Sequence, residues 1–210
     1  LREIHGDIPG AIVALTMAAA AGAPGADNTA WAMVTLGNLH INYGKLNEAE
    51  MVFQSTLEMR PAYPFALEGL AEIEIQRKNY AAAEKLLNQA ADIIPEVGFY
   101  EKLAIVYKAT GRQGEFKKTI DAVVEMMNDD ATHGHNMDLE FANVYAELFN
   151  DANKALEYAL KEYSARPENI DVNGMLANIY QQMGDTQKAK LHREKALRTG
   201  AKKPELLAIK

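Results

Sequence analysis

Two stretches of the sequence repeat one another: Leu36–Pro61 reads LGNLHINYGKLNEAEMVFQSTLEMRP, and Leu70–Pro95 reads LAEIEIQRKNYAAAEKLLNQAADIIP. Small and large apolar residues recur between them at a spacing of 34 residues, at Leu36, Gly37, Ala49, Phe53 and Leu57, and again at Leu70, Ala71, Ala83, Leu87 and Ala91. A fixed period of this length is typical of stacked two-helix units. The closing proline ends the second helix of each unit because it has no amide hydrogen to donate.

The spacing resembles the tetratricopeptide repeat, whose pattern is W-x2-L-G-x2-Y, then A-x3-F, then P. The motif positions are matched in order by Leu36, Gly37, Ala49, Phe53 and Pro61. Trp31 lies two places from the motif's tryptophan, and His40 stands in place of its tyrosine. The resemblance implies an all-α fold, an α-solenoid of antiparallel helix pairs stacked into a right-handed superhelix with a concave groove.

The repeat extends over nearly the whole chain, so we predict a single solenoid over residues 1–210. Its parts are a partial repeat at 1–25, five repeats at 28–63, 64–97, 98–130, 131–167 and 168–203, and a terminal helix at 204–210. We expect the terminal helix to cover the end of the stack, which solenoids need for solubility. Because the sequence begins inside a repeat, we interpret it as a fragment of a longer protein or as a processed form.

The composition excludes some classes of function but does not identify the function. The chain has 210 residues, of which 48% are hydrophobic, and its net charge is −7, so charge alone does not favour nucleic acid or an anionic membrane. The chain has no cysteine, which excludes disulfides and thiol chemistry but leaves both a cytoplasmic and an exported location open. We therefore predict no cofactor, no nucleic-acid partner and no membrane insertion.

The segment Ala11–Ala23 is almost entirely small and apolar, like the central part of a signal peptide. However, Arg2 is the only cation before it, Glu3 and Asp7 oppose that charge, and the segment is too short to span a bilayer. We interpret it as a buried helix of the solenoid.

The connection 128–136 is longer than the others and polar, which predicts a mobile or functional loop. Its His133-Gly134-His135 sequence, with Asp138 nearby, resembles a set of metal ligands, and a metal protein or enzyme centred there is one rival hypothesis. Two histidines in a polar loop are more often a solvated linker, and we adopt that interpretation.

Charged residues form two further clusters. Glu68 and Glu72 lie one helical turn apart, and paired carboxylates can do acid–base work. The sequence supplies no base, metal or apolar pocket beside them, so we interpret them as facing solvent or a ligand. The segment Lys188–Lys210 carries eight Lys or Arg against two Glu, which either meets an acidic partner or forms a solvated outer face. We adopt the solvated face.

The resemblance implies that the first helix of each pair lines the concave groove. The predicted partner-binding residues on those helices are Trp31, Asn38, Asn42, Phe65, Glu68, Glu72, Gln76, Asn143, Asn178 and Gln182. Three of them, Asn38, Asn143 and Asn178, occupy equivalent repeat positions. An asparagine amide both donates and accepts, so it can pair with an extended peptide backbone of any sequence. The alternative is that asparagine is simply usual at this position in the family.

These observations predict a non-catalytic scaffold or adaptor that binds a peptide or helix of a partner protein, with anchors beside Trp31 and Phe65. The acidic N-terminal half of the groove predicts a partner with basic or donor groups. The alternative is a structural spacer or oligomerisation arm of a larger protein, which could itself be an enzyme. A homo-oligomer is also compatible with the sequence.

Overall fold

The computed structural model describes residues 1–209, and all regular structure in this range is helical. A short 3-10 helix at Glu3–His5 precedes α1 Ile8–Ala21, α2 Asp27–Asn42, α3 Leu46–Met59, α4 Pro64–Gln76, α5 Tyr80–Ile93, α6 Val97–Ala109, α7 Gln113–Thr132, α8 Asp138–Glu147, α9 Ala152–Ala165, α10 Ile170–Gln182, α11 Thr186–Ala196 and α12 Pro204–Ala208. Within residues 1–209, every helix is too short or too polar to cross a membrane.

The helices form two compact units. Unit I is residues 8–123, and unit II is residues 1–7 together with residues 124–209. In unit I, α2 packs with α3 and α4 with α5, and α6 follows on α5. In unit II, α8 packs with α9 and α10 with α11, and α12 contacts α10. The predicted all-α fold of stacked antiparallel helix pairs is confirmed, whereas the proposed repeat boundaries remain a prediction.

The turns inside the helix pairs share one backbone feature. Each contains one residue with a positive φ: Gly44 (72°), Lys78 (61°), Gly111 (73°), Asn150 (52°) and Gly184 (78°). Residues other than glycine and asparagine rarely adopt this backbone conformation. Lys78 nevertheless adopts it at the position equivalent to Gly44, so packing of the helix pair decides the turn geometry.

One of the two buried clusters of unit I is built around a single aromatic ring. Phe53 on α3 is completely buried, and its ring lies directly against the backbones of α2 and α4. A Cβ added to Gly37 would come within 2.5 Å of this ring, and one added to Gly69 within 2.3 Å. Both glycines are therefore required for α2 and α4 to close on Phe53. The surrounding core consists of Ala30, Val34, Ala49, Tyr63, Ala66 and Ile73.

In unit II, a buried polar contact joins α10 to α11. The Asn173 side-chain nitrogen donates to the carbonyls of Pro167 (2.9 Å) and Asn169 (2.7 Å). Both amide hydrogens are thus used, so the Asn173 Oδ1 is an acceptor, and His192 Nδ1 donates to it at 2.9 Å. The contact assigns the Nδ1–H tautomer to His192 and fixes α11 against α10.

Helix α1 differs from its prediction as a buried solenoid helix. Ala11 is its one fully buried residue, while Val13 is 57% exposed and Met17 is 67% exposed. The reason is that α2 packs along one side of α1 and leaves the opposite apolar side in solvent.

The predicted loop at 128–136 is helical as far as Thr132. The loop prediction was wrong there because the buried residues Ile120, Val123 and Met127 recur at helical spacing up to the start of this polar segment, and the helix continues beyond them to Thr132. The remaining connection is held at Asn136, whose side chain donates to the buried Glu162 carboxylate at 2.6 Å. Arg166 donates to the other oxygen of that carboxylate.

We predict that Gly69→Ala destabilises unit I, because the added methyl group overlaps the Phe53 ring. The free energy of unfolding should fall by about 1–3 kcal/mol, the usual cost of overpacking a core. Gly114→Ala is the matched control, since a Cβ there meets no atom within 4 Å. That control should be neutral or stabilising by a few tenths of a kcal/mol up to about 1 kcal/mol. Urea unfolding measures both, and equal effects would contradict the proposed contact.

We also predict that unit II loses stability in mild acid because of His192. Burial, and then the charges of Lys195 and Lys188, lower the pKa of His192 below its ordinary value. The unfolded chain therefore binds a proton more readily, and the free energy of unfolding should fall as the pH drops below about 6.5. Urea unfolding at a series of pH values should show a smaller fall for His192→Gln, which keeps a donor and loses the titration. An identical pH dependence would exclude His192 as the cause.

Candidate functional site

Unit I has a depression of about 480 Å³ on the surface formed by the first helices of its pairs, α2, α4 and α6. Its lining consists of Asn38, Ile41, Asn42, Glu68, Gly69, Glu72, Gln76 and Lys102. Five of the residues predicted from the sequence therefore come together in one place. We call this depression the unit I groove.

Three amide side chains line the groove. Asn38 and Asn42 lie one turn apart on α2, and both are exposed. Gln76 is also exposed, and its Nε2 donates to Glu72 Oε1 at 3.1 Å. Because each amide carries both donor and acceptor atoms, the groove can bond to peptide groups in either direction.

Lys102 on α6 lies between the two carboxylates of the groove. Its Nζ is 3.2 Å from Glu68 Oε1 and 3.6 Å from Glu72 Oε2, and its side chain is 24% exposed. Burial by itself lowers the pKa of Lys102, but Glu68, Glu72 and Glu101 outweigh it and hold the pKa above its ordinary value. Lys102 is therefore charged and offsets part of the acidity of the groove.

The sequence interpretation missed Lys102, although a signal for it exists. Lys102 directly precedes Leu103, just as Gly69 directly precedes Leu70 in the previous repeat. Gly69 lines the same depression. Extending the repeat register to every position of the first helix would have identified it.

The two predicted aromatic anchors have different environments. Trp31 is 61% exposed and lies seven residues before Asn38, so the two share one face of α2, although Trp31 does not line the depression itself. Phe65 is half-buried, and its ring packs edge-on against Tyr63 at 5.6 Å and Phe99 at 5.8 Å. Trp31 is accessible to a partner, whereas Phe65 mainly packs against the core.

Unit II has a smaller depression of about 360 Å³, which we call the unit II groove. It is lined by Leu139, Asn143, Ile170, Asp171, Gly174, Met175, Asn178, Lys203, Glu205, Leu206 and Ile209. Of the predicted residues, Asn143 and Asn178 line it, and Gln182 does not. Asn178 Nδ2 donates to Glu147 Oε1 at 3.2 Å. Apolar residues, which the sequence interpretation had not assigned to the site, supply much of this lining.

The cations near the C-terminus have partners within unit II. Lys188 pairs with Asp185 at 3.1 Å, and Lys203 pairs with Asp171 at 2.6 Å. The other paired cations are Arg193 with the carbonyl of Leu206, Lys195 with the hydroxyl of Tyr163, and Arg198 with Glu168. The charge of this segment is thus partly neutralised locally.

The histidines of the connection after α7 have short-range contacts. His133 Nδ1 lies 2.8 Å from the carbonyl oxygen of Asp129 and 3.6 Å from its carboxylate. No group of three or more His, Asp or Glu residues in the described chain is arranged to hold a metal ion.

Comparison with protein families identifies the repeat. Residues 40–97 match one tetratricopeptide repeat model, and residues 170–199 match a second one. The first match covers α3, α4 and α5, and the second covers α10 and α11. Each unit therefore contains a segment that matches the family independently. No curated protein is significantly similar to the chain in sequence.

Solved structures support the same fold. A thermophilic TPR protein from Thermus thermophilus aligns with a TM-score of 0.61 and 22% identity, over 85% of this chain and 95% of that one. A tetratricopeptide repeat protein from Parabacteroides merdae aligns with a TM-score of 0.53 and 18% identity, over 97% of this chain and 91% of that one. At these identities the likeness establishes the fold alone.

We predict that Lys102→Met destabilises unit I by on the order of 1 kcal/mol, as expected for a partly exposed ion pair. The loss arises because Glu68 and Glu72 then face each other without a cation. Glu72→Gln in the Lys102→Met background should restore part of the stability, which a double-mutant cycle in urea measures. Lys118→Met, at an exposed position of α7, is the control and should change little. Additive effects of the two groove substitutions would contradict the coupling.

Proposed function

The chain is a tetratricopeptide repeat protein, and we propose that it is a non-catalytic scaffold or adaptor that holds a peptide segment of a partner protein in the unit I groove. The observation that carries the proposal is the convergence of Asn38, Asn42 and Gln76, from two different helices, on one depression of about 480 Å³. Such a depression is large enough for a few residues of a partner and lies within the usual range for binding sites.

The amides suit an extended peptide for a specific reason. A bound peptide loses the water that solvated its backbone N–H and C=O groups, and each group left unpaired costs about 1–3 kcal/mol. Asn38 and Asn42 can replace that water with both donors and acceptors, and both side chains are exposed in the free protein. These amides can therefore hold backbone groups of any sequence, and selectivity must come from the other groups of the groove.

Trp31 supplies the apolar part of the proposed contact. Its side chain is 61% exposed and lies on the same face of α2 as Asn38. Buried tryptophans are among the residues that contribute most at protein interfaces, with about 2 kcal/mol or more lost on truncation. A partner side chain that covers Trp31 would thus add affinity beside the amides.

The polar groups of the groove also fit a binding role better than a catalytic one. Gln76 donates to one oxygen of Glu72, and the Lys102 ammonium lies 3.6 Å from the other. Gln76 fixes the position of this carboxylate, and the described residues that line the groove include no histidine, serine or threonine for it to act on. The groove therefore offers recognition groups in fixed positions.

Selection from a displayed library of random peptides tests the proposal. Peptides selected on the wild-type chain should bind Trp31→Ala/Asn38→Ala more than tenfold more weakly, because the aromatic anchor alone contributes about 2 kcal/mol. Fluorescence anisotropy of the labelled peptides gives the affinities, and circular dichroism checks that the variant remains helical.

The matched control is Met51→Ala/Asn88→Ala, which removes an apolar side chain and an amide from exposed positions of α3 and α5. It should leave peptide affinity unchanged. The proposal fails if no peptide is selected, or if the groove variant and the control lose the same affinity.

A further inference from the structure

We propose that the partner segment bound in the unit I groove carries positively charged side chains, arginine above all. This inference rests on the proposed peptide-binding function and adds the chemistry that the groove selects. It depends on three features of unit I: the charge balance at Lys102, the exposed face of Trp31, and the way the groove carboxylates are held.

Negative charge exceeds positive charge in the groove. Its lining contains two carboxylates, Glu68 and Glu72, and one ammonium group, Lys102. Glu101, next to Lys102 on α6, acts on that ammonium in the same direction as the two groove carboxylates. Together the three carboxylates more than offset the cost of removing Lys102 from water. A second cation entering the groove therefore meets a net attraction.

The geometry of the carboxylates leaves room for that second cation. Lys102 Nζ lies 3.2 Å from Glu68 Oε1, and Gln76 holds Glu72 Oε1 at 3.1 Å. The contact from Lys102 to Glu72 is longer, at 3.6 Å, so Glu72 Oε2 is the less tightly held oxygen. A guanidinium N–H of an arginine can donate to this oxygen while Gln76 keeps the carboxylate in place.

Trp31 favours the same kind of side chain independently of the carboxylates. A guanidinium group stacks on an indole face by cation–π attraction, and tryptophan is the best aromatic partner for it. Trp31 is 61% exposed on the face of α2 that also carries Asn38 and Asn42. A basic segment can thus contact the carboxylates and the indole ring from one side of the groove.

Lys102 limits the affinity of this contact. Its ammonium already neutralises part of the charge that a bound arginine would meet. Replacing it with methionine keeps a side chain of similar length on α6 and removes the cation from both carboxylates, while Gln76 still holds Glu72. Lys102 is therefore the residue that sets how strongly the groove distinguishes a basic segment from a neutral one.

Three fluorescein-labelled peptides of one glycine–serine background test the inference, one with two arginines, one with two glutamates and one with neither. In anisotropy titrations of the full chain at low salt, the arginine peptide should bind about tenfold more tightly than the neutral peptide, and the glutamate peptide most weakly. Glu68→Gln/Glu72→Gln should remove this preference, and Lys102→Met should increase it by about threefold.

The matched control is Glu58→Gln/Asp92→Asn, which removes the same two negative charges from exposed positions of α3 and α5. If the groove selects the cation, this control keeps the preference for arginine. Equal loss in the control and in the groove variant, or no preference in the wild-type chain, overturns the inference. Library peptides that bind the groove but contain no basic residue would overturn it as well, while leaving the proposed peptide-binding function intact.

Discussion

The ring of Phe53 is held between two glycine backbones, and this contact sets how closely α2 and α4 approach each other in unit I. The neighbours of those glycines in sequence, Asn38 and Glu68, both line the groove. Each helix therefore closes on the ring at its glycine, while the adjacent positions face the unit I groove. Core packing and groove geometry follow from the same contact, because a shift of either helix would move both.

Most of the fold was predictable from the sequence because the 34-residue spacing of apolar residues is a consequence of how the helices pack. The alanine of the A-x3-F motif recurs as Ala49, Ala83, Ala155 and Ala189, and all four are completely buried. Each allows two helices to approach at the same point of the repeat. Only a small side chain fits at this position, so the alanine is easily recognised in the sequence. The positions of α3, α5, α9 and α11 follow from it.

The sequence predicted the fold less well where a helix packs on one side only, or where the backbone conformation of single residues decides where a helix begins. Helix α1 has the composition of a buried helix, but composition does not indicate how many neighbours a helix has. Just before α4, Ala62 has a φ of 60°, a value that a helix does not contain, so the backbone at this residue keeps the helix from starting there. Pro64 instead occupies the first turn of α4, where its missing amide hydrogen has no consequence.

The groove was less predictable than the fold because its residues are not constrained by packing. The repeat located Asn38, Glu72, Asn143 and Asn178 on the lining of the two grooves, since their position within the repeat fixes the direction of the side chain. It could not indicate that Lys102 would reach two carboxylates on α4, because that depends on the distance between neighbouring repeats.

Because groove residues are not constrained by packing, the two grooves of this one fold differ in chemistry. The unit I groove combines amides with a partly neutralised acidic pair, whereas Leu139, Met175 and Leu206 make the lining of the unit II groove more apolar. Neither difference alters the contacts that hold the helix pairs together, since the buried alanines are common to both units. The chemistry of each groove is therefore determined by positions next to the packing contacts, and these positions vary between the two units while the buried alanines stay the same.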